Sequence, residues 1–285
     1  MRTIKINKKK FEEVFSSTAD RLCKKGAKRK YIEFHKERFF FIIKEIDNFF
    51  GFKDNVEILE IGPEDYFLSC LLREFFPKEI NIDCIEHPDA LKSSITEKNL
   101  AEDFKTIYLD LERESVTINK KYDLILCCEV IEHLIFSPTF FLFNLHGLLK
   151  PDGLLLITTD NVSRITNIVK LLLGQNIFYF LQPFSCFRHN REYTRRELED
   201  LLEGVGYKII RGGYFNFTPF IGKRLFFLMT KGLFSLTYLP LMKIYSRHIF
   251  LWCRKEKGPD LYFPGWLHEF PSEIKKLILE KKVVE

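Results

Sequence analysis

The chain has 285 residues, 46% of them hydrophobic and 29% charged, with a formal net charge of +5. That balance excludes a disordered polar chain, and so small an excess charge does not by itself call for a nucleic-acid partner. The length suits one large domain or a core domain with an appendage.

Residues 31–50 carry apolar side chains at helical spacing (Ile32, Phe39, Ile42, Ile43, Ile46, Phe49, Phe50), which predicts an amphipathic helix before Gly51. Short apolar runs then alternate with helical stretches. Strands are expected at VEILEI (56–61), INIDCI (80–85), FKTIYL (104–109), YDLILC (122–127), GLLLITT (153–159), YKIIRG (207–212) and HIFLWC (248–253). Helices are expected at 64–76, about 89–99, 129–149 with a break at Pro138, 194–204, and 271–281. Strands separated by helices imply crossover connections and a parallel sheet. The expected fold is a doubly wound, Rossmann-like α/β domain with seven strands, an N-terminal helical extension and a helical insertion before the last strand. Its divisions are an extension (1–50), a core domain (51–256) and a tail (257–285). The interval 160–193 is long for one connection and reads as a lid or an extra helical element over a site.

Several strands end in acids. VEILEIG closes with Glu60 and Gly62, a strand entering a tight turn, as nucleotide-binding α/β folds arrange it. Glu86 ends the second strand, where a carboxylate can accept from ribose hydroxyls, and Asp110 ends the third. After the fourth, CCEVIEHL places Glu129, Glu132 and His133 at i, i+3 and i+4, one face of a helix. Two readings stay open for EVIEH: a polar helix start with Glu129 at the positive end of the dipole, or a divalent-metal site. In HNREYTRRELEDLL, Thr194 and Glu197 form the pattern of a capping box, leaving His189 for function.

With YDLILCCEVIEHL, LLKPDGLLLITT and HNREYTRRELEDLLEGVGYKI in this order, the sequence resembles the class I S-adenosylmethionine-dependent methyltransferases. It looks most like the branch of ubiquinone-type and glycan-associated O-methyltransferases. The resemblance spans roughly 55–213 and resumes at HIFLWCRK. It implies S-adenosylmethionine as cofactor, with Glu60, Gly62 and Glu64 around the methionine loop. It also implies Glu86 at the ribose, Asp110 and Leu111 at the adenine, and Cys128 and Glu129 on the far side. The loop departs from the glycine-rich family pattern: EIGPEDY keeps Gly62 but sets Glu64 and Tyr66 where glycines are expected. Those side chains are expected to crowd the loop. A similar EVIEH and downstream histidine occur in the small-RNA 2′-O-methyltransferases. That likeness implies Glu129, Glu132, His133 and His189 as ligands of Mg²⁺ or Mn²⁺. Without a metal, His133 or His189 would be the general base.

From Gly204 to Lys255 the chain has no acidic residue, and 212–246 combines basic with apolar and aromatic side chains. Its apolar run is interrupted at Lys231, Gly232 and Pro240, short of the ~20 consecutive apolar residues of a spanning helix. Peripheral contact with a membrane, a buried helical cap or a homodimer interface would each suit it. Seven cysteines without C-x-x-C spacing, and no apolar leader in MRTIKINKKKFEEVF, suit a cytoplasmic chain. The expected activity is O-methylation of a small-molecule, saccharide or lipid-linked glycan hydroxyl. The alternatives are a catalytically inactive scaffold of the same fold, or an RNA 2′-O-methyltransferase. Nucleic acid is the less expected acceptor, because the basic residues are interleaved with aliphatic runs.

Overall fold

The computed structural model describes residues 6–25, 27–50, 55–76, 80–89, 103–178, 188–216, 237 and 239–269. All seven expected strands are present: β1 (Val56–Ile61), β2 (Ile80–Glu86), β3 (Lys105–Tyr108), β4 (Tyr122–Cys128), β5 (Leu149–Asp160), β6 (Tyr207–Phe215) and β7 (His248–Lys255). They form one sheet in the order β3-β2-β1-β4-β5-β7-β6. Ile58–Ile61, Leu124–Cys127 and Leu155–Ile157 are buried almost throughout, as central strands covered on both faces must be.

The five strands β1 to β5 run parallel, but β7 runs antiparallel to both its neighbours. The sheet is therefore mixed rather than wholly parallel. Its reversed strand brings the beginning of β7 beside the end of β5, with His248 paired to Asp160. The strand order reverses between β1 and β4, the place where open α/β sheets leave a crevice at their carboxyl ends.

The N-terminal helices are α1 (Lys8–Lys24), α2 (Arg29–Phe34) and α3 (Lys36–Glu45). The helix expected over 31–50 is broken at His35 and ends in a wider turn over Ile46–Phe50. Asn7 caps α1 by accepting the Lys10 N–H at 2.9 Å. Phe11, Phe15, Ala19 and Leu22 then lie on one buried face of α1. That face meets α4 (Phe67–Phe75), where Phe15 lies edge-on to Phe67 at 5.1 Å and Phe11 stacks on Phe75 at 6.3 Å. These aromatic rings share one core with Ile58, Leu124 and Trp252 of the sheet.

Further along, α5 (Pro138–Leu148) begins at the expected proline, capped by the Ser137 side chain. Next come α6 (Ile165–Leu172) and α7 (Arg195–Val205). The Thr194–Glu197 capping box is fully formed, and α7 ends at Gly206 with φ +117. The stretch read as an insertion, 212–246, starts as strand, since β6 runs on to Phe215; Pro240–Tyr245 forms a short 3₁₀ turn. Its middle lies outside the described residues, as do nearly all of the expected 89–99 helix, the 271–281 helix, and 179–187 of the lid-like interval. Among the described residues no helix is long and apolar enough to cross a membrane.

Because Phe15 packs into the same core as the sheet, Phe15→Ala is expected to cost about 3–5 kcal/mol. One cooperative melting transition should shift as a whole. A separate early transition confined to the N-terminal helices would contradict the shared core.

Candidate active site

The residues expected at the cofactor collect at the ends of β1, β2 and β3. Gly62 adopts φ +62, and a Cβ there would stand 3.0 Å from Val130 Cγ2, so glycine keeps this turn against the β4 loop. Its N–H donates to Ile85 O at 2.9 Å. The next turn is held by left-handed backbone at Asp65 (φ 52) and Tyr66 (φ 54). Neither side chain crowds the loop. Asp65 is buried and accepts the Lys28 N–H at 3.0 Å, while the Tyr66 hydroxyl accepts from Thr106 at 3.2 Å and its ring stacks on Phe104. The expected crowding by Tyr66 is corrected on this point: left-handed backbone turns the ring into the core. The Glu64 side chain lies outside the described residues.

Glu60 is also turned inward, where it accepts the Ser69 hydroxyl. Burial pushes its carboxyl up to about 7, partly offset by that hydrogen bond. Glu86 accepts the His87 N–H at 2.9 Å at the end of β2. Asp110 lies just beyond β3, its Oδ2 3.6 Å from His87 Nε2 and 3.7 Å from Arg113 Nε. Leu111 is buried beside it, and its carbonyl accepts from Asn144 of α5 at 2.9 Å. The backbone N–H groups of Ile135, Phe136 and Ser137 all donate to Glu112, tying this corner to the start of α5. Glu86, Asp110 and Leu111 are thus neighbours on one rim of the crevice.

EVIEH does not form the expected helical face. Glu129 adopts φ 58, and a 3₁₀ turn follows over Ile131–His133. The left-handed residue separates Glu129 from the other two side chains. Glu129 joins Asp160 and His248 instead: His248 Nδ1 is 3.1 Å from Glu129 Oε2 and 3.3 Å from Asp160 Oδ1. Thr158 donates to Glu129 at 2.7 Å, and Arg38 of α3 lies 3.8 Å away. Burial opposes its charge, but His248 and Arg38 outweigh that and hold its carboxyl well below the usual range. Cys128, half-buried beside it, has its thiol pushed up by burial and by Glu60, so it lines the crevice as an uncharged group.

Glu132, His133 and His189 do come together, with ligand-type atoms within 4.8 Å of one another. The segment around His189 is fastened to the EVIEH turn: Asn190 N–H donates to Glu132 O and Asn190 Nδ2 to His133 O, both at 2.7 Å. The two imidazoles meet edge to face at 4.7 Å. Glu132 is 0% exposed; its Oε2 accepts from Thr159 at 2.7 Å, and its buried Oε1 has no hydrogen-bond partner among the described residues. Burial and the charge of Glu129 push its carboxyl up to about 8, while His189 pulls the other way. His133 Nδ1 lies 3.1 Å from Arg188 O, an atom that can only accept, so Nδ1 carries the proton and Nε2 the lone pair. Burial and the adjacent His189 push its pKa down to about 4, leaving the ring neutral at physiological pH. His189 behaves oppositely: burial disfavours its charge, but Glu192, Glu132 and Asp160 outweigh burial and raise its pKa.

An orphaned buried carboxylate oxygen, a neutral imidazole and a second imidazole are a donor set for a small divalent cation. Asp160, His248, Glu192 and Arg38 escaped the sequence reading. Asp160 alone carried a signal, since it ends a strand as Glu86 does.

The methyltransferase domain family matches residues 34–211. The chain belongs to this family. It is an S-adenosylmethionine-dependent methyltransferase. The match reaches back over α3, whose Arg38 touches the site, and stops short of β7. The methyltransferase is similar to the ubiquinone biosynthesis O-methyltransferase of Rickettsia canadensis, 27% identical over 59% of this chain and 70% of the relative. The protein of that name from Rickettsia prowazekii is 24% identical over 74% of this chain and 82% of its own length. Among solved structures, an S-adenosylmethionine-dependent methyltransferase from Clostridium acetobutylicum has the same fold, at a TM-score of 0.51 and 13% identity, covering 86% of this chain and 99% of that one. An Archaeoglobus fulgidus methyltransferase does likewise, at a TM-score of 0.51 and 14% identity over 79% of this chain and 99% of its own.

Glu60 supplies a test of the buried site. Its folded pKa of about 7 exceeds the unfolded value near 4.5, so the folded chain binds the extra proton. Stability should therefore be highest below the unfolded value and fall as pH rises through 7. Glu60→Gln should remove up to ~3 kcal/mol of that slope, read from denaturant midpoints across the range. An unchanged slope would show that Glu60 is not the titrating group.

Proposed function

We propose that this methyltransferase moves a methyl group to a hydroxyl oxygen, with Glu132, His133 and His189 serving the acceptor. Two observations carry this reading: Glu132 groups with two imidazoles, ligand-type atoms within 4.8 Å of one another, and its buried Oε1 has no hydrogen-bond partner among the described residues. A bound Mg²⁺ or Mn²⁺ would supply Lewis acidity there, lowering the pKa of the acceptor hydroxyl. Glu132, His133 and His189 are the residues that would hold it. Glu129 was also expected among the ligands, but it is turned to Arg38 and His248 instead, and we assign it to the wall of the crevice. In the absence of an ion, the Nε2 lone pair of His133 suits the role of general base.

On the donor side, Glu86 is suited to accept from ribose hydroxyls, Asp110 and Leu111 to meet the adenine, and Gly62 to let the backbone approach the methionine portion. S-adenosylmethionine held there would supply the methyl group from its sulfonium, and His133 Nε2 would take the proton of the acceptor hydroxyl. The protein's main contribution is alignment of the two reactants.

The relatives named for ubiquinone biosynthesis favour a hydroxylated ring of quinone-precursor type as the acceptor. The saccharide or lipid-linked glycan acceptor rests on the sequence resemblance alone. Membrane contact through 212–246 stands on the same footing. An RNA acceptor would show binding that falls steeply with salt.

His133→Ala and His189→Ala should each lower turnover by ~10²–10⁴-fold with S-adenosylhomocysteine affinity nearly unchanged. Full activity in either variant would remove that histidine from the acceptor side. Glu86→Ala should do the converse, weakening calorimetric binding of S-adenosylhomocysteine. Wild-type turnover that survives exhaustive chelation and gains nothing from Mn²⁺ would leave only the general-base role.

A further inference from the structure

Among the charged groups around the site, Glu192 is the most firmly held, and the proposed function gives it no task. Its Oε2 accepts from Arg164 Nη1 at 2.5 Å and from Asn167 Nδ2 at 3.1 Å. Both donors are themselves buried and anchored: Arg164 Nη1 also donates to Asn161 O at 3.2 Å, and Asn167 Nδ2 to Val162 O at 3.0 Å. The other oxygen, Oε1, is turned to His189 Nδ1 at 3.5 Å. Asp160 Oδ2 approaches the same nitrogen at 3.4 Å, and ligand-type atoms of the three residues lie within 4.8 Å of one another. Asp160 is anchored in its turn, its Oδ1 lying 3.3 Å from His248 Nδ1 and 3.7 Å from Arg247 Nε.

A ring nitrogen faced by two carboxylate oxygens cannot present a lone pair to them without strong repulsion; it must carry a proton. We propose that Glu192, seconded by Asp160, is a positioning residue that fixes His189 in the Nδ1–H tautomer, so that Nε2 keeps the lone pair. His133 reaches the same tautomer by another route, its Nδ1 held by the Arg188 carbonyl at 3.1 Å. The two imidazoles, edge to face at 4.7 Å, would then share the Nδ1–H form. Carboxylates that hold a histidine in this way set both ring orientation and ligand basicity. The inference rests on the acceptor-side reading of His189, but it concerns the tautomer and can fail or stand by itself.

The variant Glu192→Gln separates the two. Arg164 can only donate, and Asn167 presents its Nδ2, which Val162 O holds as a donor, so the amide oxygen must stay with them and the NH₂ must face His189. That arrangement favours a lone pair on Nδ1 and a proton on Nε2. Long-range ¹H–¹⁵N spectra at alkaline pH, with peaks assigned against His189→Gln, should show Nδ1–H in the wild type and a shift toward Nε2–H in Glu192→Gln. Manganese titration followed by electron paramagnetic resonance should show ~10–100-fold weaker binding in Glu192→Gln. Glu192→Asp, which restores the carboxylate, should recover part of both signals. A wild-type His189 in the Nε2–H form, or a tautomer unmoved by Glu192→Gln, overturns the assignment. Should Glu192→Gln fail to fold, the wild-type spectrum decides alone. A wild type that binds no manganese, with the tautomer still switching, removes the metal reading and leaves Glu192 in its role.

Discussion

Four carboxylates, the buried Glu132 and Asp160 and the half-buried Glu129 and Glu192, share one neighbourhood at the carboxyl ends of β4 and β5. Removing so much negative charge from water is tolerable only if each group is paired, hydrogen-bonded or protonated. Much of the architecture meets that demand. The N-terminal helices contribute Arg38, the reversed last strand contributes Arg247 and His248, and the start of α6 contributes Arg164. Glu132 stands apart. Burial and the charge of Glu129 outweigh the pull of His189, and its carboxyl is pushed up to about 8, above the range in which a carboxylic acid ordinarily ionises. Neighbouring acids whose environments push them in opposite directions are a recurrent sign of divided labour at a reaction centre.

The donor side follows a different economy. Its loop lacks most of the glycines expected of such folds, yet the chain finds room by placing Asp65 and Tyr66 in left-handed backbone and turning both side chains inward. Non-glycine residues in that region cost of order 1 kcal/mol or more each. Here the cost is offset locally: the Tyr66 ring stacks on Phe104 and its hydroxyl meets Thr106, while Asp65 caps the Lys28 amide. The loop thus rests on side-chain anchoring by Thr106, Phe104 and the Lys28 amide.

The strands were legible in the sequence because central strands of this sheet are short apolar runs bounded by turn residues, and their acid-tipped ends pointed to the crevice. The capping box of α7 was legible because its two residues act locally. Glu129 was misplaced because spacing at i, i+3 and i+4 presumes helical backbone, and one left-handed residue removes that premise. Asp160 could have been noticed by the rule that singled out Glu86. His248 could not, since it opens a strand, and in a parallel sheet a strand's beginning lies at the wrong end. Only the reversal of β7 brings it to the site. Arg38 and Arg164 depend on packing between distant segments, which no local pattern encodes, whereas Glu192 lies three residues from the His189 it touches.

The position of β7 has a consequence for how the chain is made. It is the last strand to leave the ribosome, yet it lies between β5 and β6, and until it arrives both present open hydrogen-bonding edges. Asp160 also waits for its histidine partner during that interval. A nascent or truncated chain ending before residue 248 would therefore carry two sticky sheet edges and an unneutralised acidic crevice. Such a species invites aggregation or chaperone capture, and it would hold no competent site.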